Sequence, residues 1–145
     1  MVCTSEPFPG TRTLASTVDN PVLEEDVARL SEVVGFDVDV LCDGALVGVV
    51  VRDVLLPSGI YNVEATDVLL QTTLHYPVSA MDMFWVEVEL VLATGAVPVG
   101  AESIENYFGR QWRRYSWHRN TPWQPGRDTL LSHFEFAVAR LQRPQ

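Results

Sequence analysis

The sequence predicts an α+β fold: a four-stranded antiparallel meander sheet flanked by an N-terminal helix and a C-terminal helix. Three observations carry that expectation. Segments near residues 20–34 and from Asp128 onward place apolar residues at helical spacing. Between them, several runs alternate apolar and polar residues, the period of a half-buried strand. These runs follow one another on short connections, which favours antiparallel neighbours with both helices covering one face.

Residues 1–19 are rich in Pro, Gly, Ser and Thr without any period, and read as a flexible arm ahead of a single domain over 20–145. Asn20-Pro21 is a helix start, with Asn as N-cap and Pro in the first helical position. Glu24, Glu25 and Asp26 suit the positive end of the helix dipole. Leu23, Val27, Leu30 and Val34 form one stripe, and Gly35 is a natural stop. Phe36, Val38, Val40 and Cys42 then alternate with Asp37 and Asp39 as a first strand, and Asp43-Gly44 turns the chain. Leu46 to Leu56 is a Val-rich second strand with Gly48 as a candidate bulge. Thr66 to Leu74 makes a third strand, ended by His75-Tyr76-Pro77. Phe84 to Leu92, interleaved with Glu87 and Glu89, makes a fourth with one wet face. Residues 96–127 show no sustained period and read as a long irregular segment, a kind of loop that is usually functional. Asp128 is expected to cap a final helix in which Leu130, Phe134, Val138 and Leu141 share a face.

The bulk properties exclude several classes. The longest apolar run, Leu46 to Leu56, is broken by Arg52 and Asp53, so no membrane span is expected. The first residues lack a basic region followed by an apolar stretch, which makes a cytoplasmic location the expectation. Cys3 and Cys42 form neither a disulfide framework nor a metal site; Cys42 reads as a small core residue and Cys3 as part of the loose arm. A net charge of −9 argues against nucleic-acid or membrane binding. Yet Arg110, Arg113, Arg114 and Arg119 fall close together, either as a patch for an acidic partner or as partners of the chain's own carboxylates. The chain has no Lys. No phosphate loop, zinc spacing or nucleophile elbow occurs, so neither a metal nor a cofactor of its own is expected.

The densest chemistry lies between Trp112 and Asp128, which holds three of the four Trp together with Ser116 and His118. The order of elements, Tyr76-Pro77 closing the meander, and Trp123-Gln124-Pro125 ahead of the last helix resemble the ubiquitin-conjugating (UBC) fold. Leu56-Pro-Ser-Gly-Ile-Tyr-Asn62, the Trp112…Ser116-x-His118 cluster and Trp123-x-Pro-Gly-x-Asp128 resemble its divergent bacterial members. The resemblance covers roughly residues 52 to 141. It implies handling of a ubiquitin-like protein delivered by an activating enzyme that uses ATP. It also exposes departures. Counting back from Trp123 to where a conventional member carries its catalytic Cys lands on Tyr115, with Ser116 beside it. The His-Pro-Asn element is missing, and Arg110 stands near the place of its Asn. A thioester on a loop Cys is therefore excluded.

Two functional expectations follow. In the first, the resemblance implies a transferase in which Ser116 takes the acyl group as an oxyester, His118 is its base, and Arg110, Arg113, Arg114, Arg119 and Trp117 contact the partner. Arg113, Arg114 or Asn120 would serve the oxyanion. In the second, the chain is an inactive adaptor that binds the ubiquitin-like protein or its activating enzyme, and Ser116 and His118 are loop structure. His75 reads as structural and His133 as a surface or boundary residue.

Overall fold

The computed structural model describes residues 2–4, 15–17 and 19–144. Among them, ten elements occur: β1 (Val2–Thr4), β2 (Ala15–Thr17), α1 (Pro21–Val34), β3 (Val38–Asp43), β4 (Leu46–Leu55), β5 (Ala65–Thr73), β6 (Phe84–Glu87), β7 (Ser103–Tyr107), β8 (Arg110–Tyr115) and α2 (Leu130–Gln142). The strands form one sheet in the order β2-β1-β3-β4-β5-β6-β8-β7. The run β3 to β8 is antiparallel throughout, while β1 lies parallel to β3 through the pair Thr4 and Leu41. The α+β class and both flanking helices agree with the sequence. The strand count does not: the expected four are joined by β7 and β8, and by β1 and β2 inside the segment read as a loose arm. Residues 1, 5–14 and 18 of that segment lie outside the described residues.

Helix α1 forms for the reasons its sequence gives. The Asn20 side chain accepts from Leu23 N at 3.0 Å, Pro21 opens the first turn, and Gly35 closes the helix at φ 68°. At α2 the cap shifts by one residue from the expected Asp128. Thr129 is the N-cap and makes a capping box with Ser132. Asp128 instead accepts from the Gln124 N–H at 2.7 Å and so closes the preceding turn. No helix among the described residues is long and apolar enough to cross a membrane.

The pleat divides the core in two. Val47, Val49, Val51, Val68, Leu70, Phe84, Val86 and Tyr115 face Leu23 and Leu30 of α1 and Leu130, Phe134, Ala137 and Leu141 of α2. On the opposite face Leu41, Val50, Leu69, Trp85, Phe108 and Trp112 form a second cluster. The two expected single thiols are instead joined: Cys3 of β1 and Cys42 of β3 form a disulfide, with Cα atoms 5.8 Å apart. The backbone pairing of β1 with β3 brings these positions within bonding reach, which spacing along the chain does not reveal. In a reducing compartment the same two thiols would sit side by side unbonded.

Residues 96–127, expected to be irregular, contain the β7–β8 hairpin. Its two-residue connection, Phe108-Gly109, has positive φ at both positions, 55° and 74°, the requirement of the hairpin turn whose twist suits the strands. Phe is a poor choice for such a backbone, and packing holds it there. Its ring lies against Gly48 of β4, where a Cβ would come within 2.5 Å of Phe108 Cε2 and 2.8 Å of its Cζ. Gly48 therefore makes room for a ring. The strand irregularity expected there falls instead between Val51 and Val54. Gly48→Ala should lower stability by about 1–3 kcal/mol through overpacking, read from the urea midpoint. The Gly48→Ala/Phe108→Leu double variant should recover part of that loss, because the clash is with the ring.

Beyond β6 the expected fourth strand breaks off. Leu90 N bonds back to Glu87 O at 3.1 Å, and the Asn62 side chain clamps the departing segment through Glu89 O and Val91 N.

Candidate functional site

Two loops meet beside the N-terminus of α2. One runs from the cis Tyr76–Pro77 bond to β6, and the other from β8 to Asp128. Trp123 fastens them, its indole N–H donating to Pro77 O at 2.8 Å. The first loop is itself pinned to both helices. Tyr76 Oη donates to Asp26 at 2.5 Å and accepts from Leu130 N at 2.9 Å, and the Asn20 amide reaches Tyr76 O at 2.7 Å. Burial and Asp26 together push the Tyr76 phenol up, so it stays protonated and able to donate.

Between the loops opens a cleft of about 340 Å³, lined by Asp82 and His118, by Met81, Asn120 and Pro122, and by Trp123. His118 Nδ1 and Asp82 Oδ2 lie 2.6 Å apart. Asp82 has no sequence pattern that announces it. It is 36 positions from His118, and only the meeting of the two loops brings them together.

The structure does not join Ser116 to His118. Alternation along β8 sends Tyr115 toward the helices and Arg114 and Ser116 to the opposite face of the sheet. There Ser116 Oγ accepts from Arg114 Nε at 3.0 Å. Arg114 also pairs with Glu105 at 2.8 Å. His118 bonds Asp82 instead of Ser116.

The arginines expected to form a partner patch are largely committed internally. Arg113 is buried and donates to Val88 O and Ala101 O. It offers no side chain to a partner, and the patch reading is corrected there. Its planar fork fits two backbone carbonyls of a chain that leaves the sheet, which a strand residue facing solvent could not do. Arg110 pairs with Asp67 at 3.1 Å and Glu87 at 3.2 Å and lies over the Trp112 ring at 4.1 Å. Asp67, itself buried, also receives Arg52 and the Asp53 N–H. Burial, with Asp67 nearby, raises the Glu87 carboxyl above its ordinary value. Trp117 is partly exposed, with its ring on the Arg140 guanidinium at 3.6 Å.

Arg119 also lines the cleft and pairs with Asp128 at 2.8 Å. The Gln124 N–H, then Arg127 and Arg119, hold the Asp128 carboxyl below its usual range. Arg119 also reaches His133 Nδ1 at 3.2 Å, and His133 Nε2 meets Met83 O at 2.7 Å. Because a carbonyl can only accept and a guanidinium can only donate, His133 is the neutral Nε2–H tautomer. It is fully buried, which corrects the expectation of a boundary residue. The helix phase places it beside Phe134 on the covered side, where two fixed partners satisfy both ring nitrogens.

The model of prokaryotic E2 family E matches residues 22–144. The chain belongs to that family. No curated protein and no solved structure matches. Membership of prokaryotic E2 family E gives the chain a general ubiquitin-conjugating-like role, with a ubiquitin-like protein and an activating enzyme as its general partners. Its two cysteines, Cys3 of β1 and Cys42 of β3, are bonded to each other.

Proposed function

We propose that the chain serves ubiquitin-like conjugation as a non-covalent partner. It binds the ubiquitin-like protein or its activating enzyme and forms no acyl intermediate of its own. The position of Ser116 carries this reading. A serine hydroxyl is a weak nucleophile unless a base takes its proton, and Ser116 Oγ is held by a guanidinium, which can only donate. The second reading, an oxyester on Ser116, draws support from that same contact, because a positive charge at 3.0 Å favours the alkoxide.

Intact mass separates the two. The chain is incubated with its activating enzyme, ubiquitin-like protein and ATP, then compared with Ser116→Ala. The expected result is co-elution without an adduct, identical in both forms. A hydroxylamine-labile adduct that vanishes in Ser116→Ala would install the oxyester reading instead.

A further inference from the structure

We infer that Asp82 and His118 form a proton-transfer dyad that activates an amine for attack on an acyl group brought to the cleft by another protein. The identity of that donor, a thioester carried on a partner, rests on the proposed function above. The dyad itself rests on geometry.

A carboxylate oxygen accepts, so the 2.6 Å contact places the ring proton on His118 Nδ1. In the neutral ring the lone pair is then on Nε2, which has no partner among the described residues, and His118 lines the cleft. A base oriented by a carboxylate, with its second nitrogen unpartnered and its ring lining a cavity, is the arrangement that general-base catalysis requires. The other described imidazoles differ. His133 has both nitrogens occupied by Arg119 and Met83, and His75 lies on an exposed turn with no side-chain partner.

The pair is exposed, with side-chain accessibilities of 65% for His118 and 47% for Asp82. Its supports are nevertheless fixed. Met81 and Phe84 bury on either side of Asp82, and Trp123 ties the two loops together. Exposure also suits a reaction whose two reactants come from outside. The chain has no Lys, so no side-chain amine of its own competes with the acceptor.

The step balances without a redox partner. The neutral amine nitrogen bonds to the thioester carbonyl carbon while His118 Nε2 takes its proton. The C–S bond then breaks, and the proton passes from Nε2 to the departing thiolate. The products are an amide and a thiol, and the imidazole is restored. In this scheme His118 is the catalytic residue and Asp82 its positioning residue.

The test uses the full chain with a short peptide thioester of mercaptoethanesulfonate as donor and free lysine as acceptor, amide formation being followed by mass. His118→Gln should remove the rate above buffer, a loss of about a hundredfold if the base contributes at the low end of its usual range. Asp82→Asn should also slow the reaction and shift the His118 ring ¹⁵N signals away from the single Nδ1–H tautomer. Asp82→Glu should recover part of the rate, and His75→Gln should leave it unchanged. Far-UV circular dichroism checks that each variant is folded. A wild-type rate no greater than buffer, or a rate indifferent to folded His118→Gln, would overturn the dyad. Failure of the ubiquitin-like protein and activating enzyme to bind the chain, with a dyad-dependent probe reaction, would instead overturn the proposed function and leave the dyad standing.

Discussion

Trp112→Ala should lower folding stability by about 3–5 kcal/mol, the range for removing a large aromatic from a closed core. Its side chain is fully buried against Leu41, Val50, Leu69, Trp85 and Phe108. The cavity would open on the sheet face that carries no helix, where little can collapse into it. Two further losses follow. The indole N–H leaves Tyr107 O, to which it donates at 3.2 Å, and the Arg110 guanidinium loses the ring beneath it. Arg110 is one of two arginines compensating the buried Asp67, so a looser Arg110 weakens that balance as well. Urea unfolding monitored by circular dichroism measures the effect. Trp117→Ala in the same assay should cost far less, because Trp117 is partly exposed and its main contact is one stacked guanidinium.

Acid should destabilise the fold through His133 before most carboxylates protonate. Burial is the chief cause that pushes this imidazole down to about 4. The Arg119 charge adds to it, against the opposing pull of Met83 O, Asp82 and Asp128. In the unfolded chain the ring takes up a proton below about pH 6.5, while in the folded chain it does so only near pH 4. The contribution is therefore fully present above pH 6.5 and is lost as pH falls toward 4. The slope is at most about 1.4 kcal/mol per pH unit, and the total is on the order of 3 kcal/mol. Urea midpoints taken between pH 7.5 and 4.5 should show the decline. His133→Gln should be less stable at pH 7.5, since one of two buried partners loses its geometry, but flatter across the window. Equal slopes in the two proteins would assign the acid sensitivity to other groups.

The parts of the fold that were legible in sequence are those where each residue reports its own surroundings. Asn20-Pro21 and Gly35 mark the two ends of α1 because capping is local chemistry. The alternation of β3 is visible because Asp39 and Asp43 break its apolar run on the face opposite Val38, Val40 and Cys42. The β7–β8 hairpin was not legible for two reasons. Arg113 occupies an inward position and reads as a solvated charge, although its guanidinium is spent on backbone carbonyls. Phe108 sits where a turn would advertise Asn, Asp or Gly, and only Gly48, sixty positions earlier on another strand, explains how it is tolerated. The site shows the same division. Trp123 and Tyr76-Pro77 could be found from their motifs, and they do frame the cleft. Neighbourhood along the chain pairs Ser116 with His118, but strand alternation sends their side chains to different partners. Asp82 becomes visible only once the loops meet. Its companions Met81 and Met83 alternate between buried and half-buried without a repeat long enough to read.

The Tyr76 hydroxyl touches α1 through Asp26 and the first turn of α2 through Leu130, on the same turn that Asn20 and Trp123 hold from either side. The wall of the cleft therefore cannot fluctuate open alone. Exposing it means releasing contacts to both helices at once, which places this loop in the same cooperative unit as the core instead of among the frayed surface segments. A molecule that binds there meets a shape already paid for during folding and has little ordering entropy to supply.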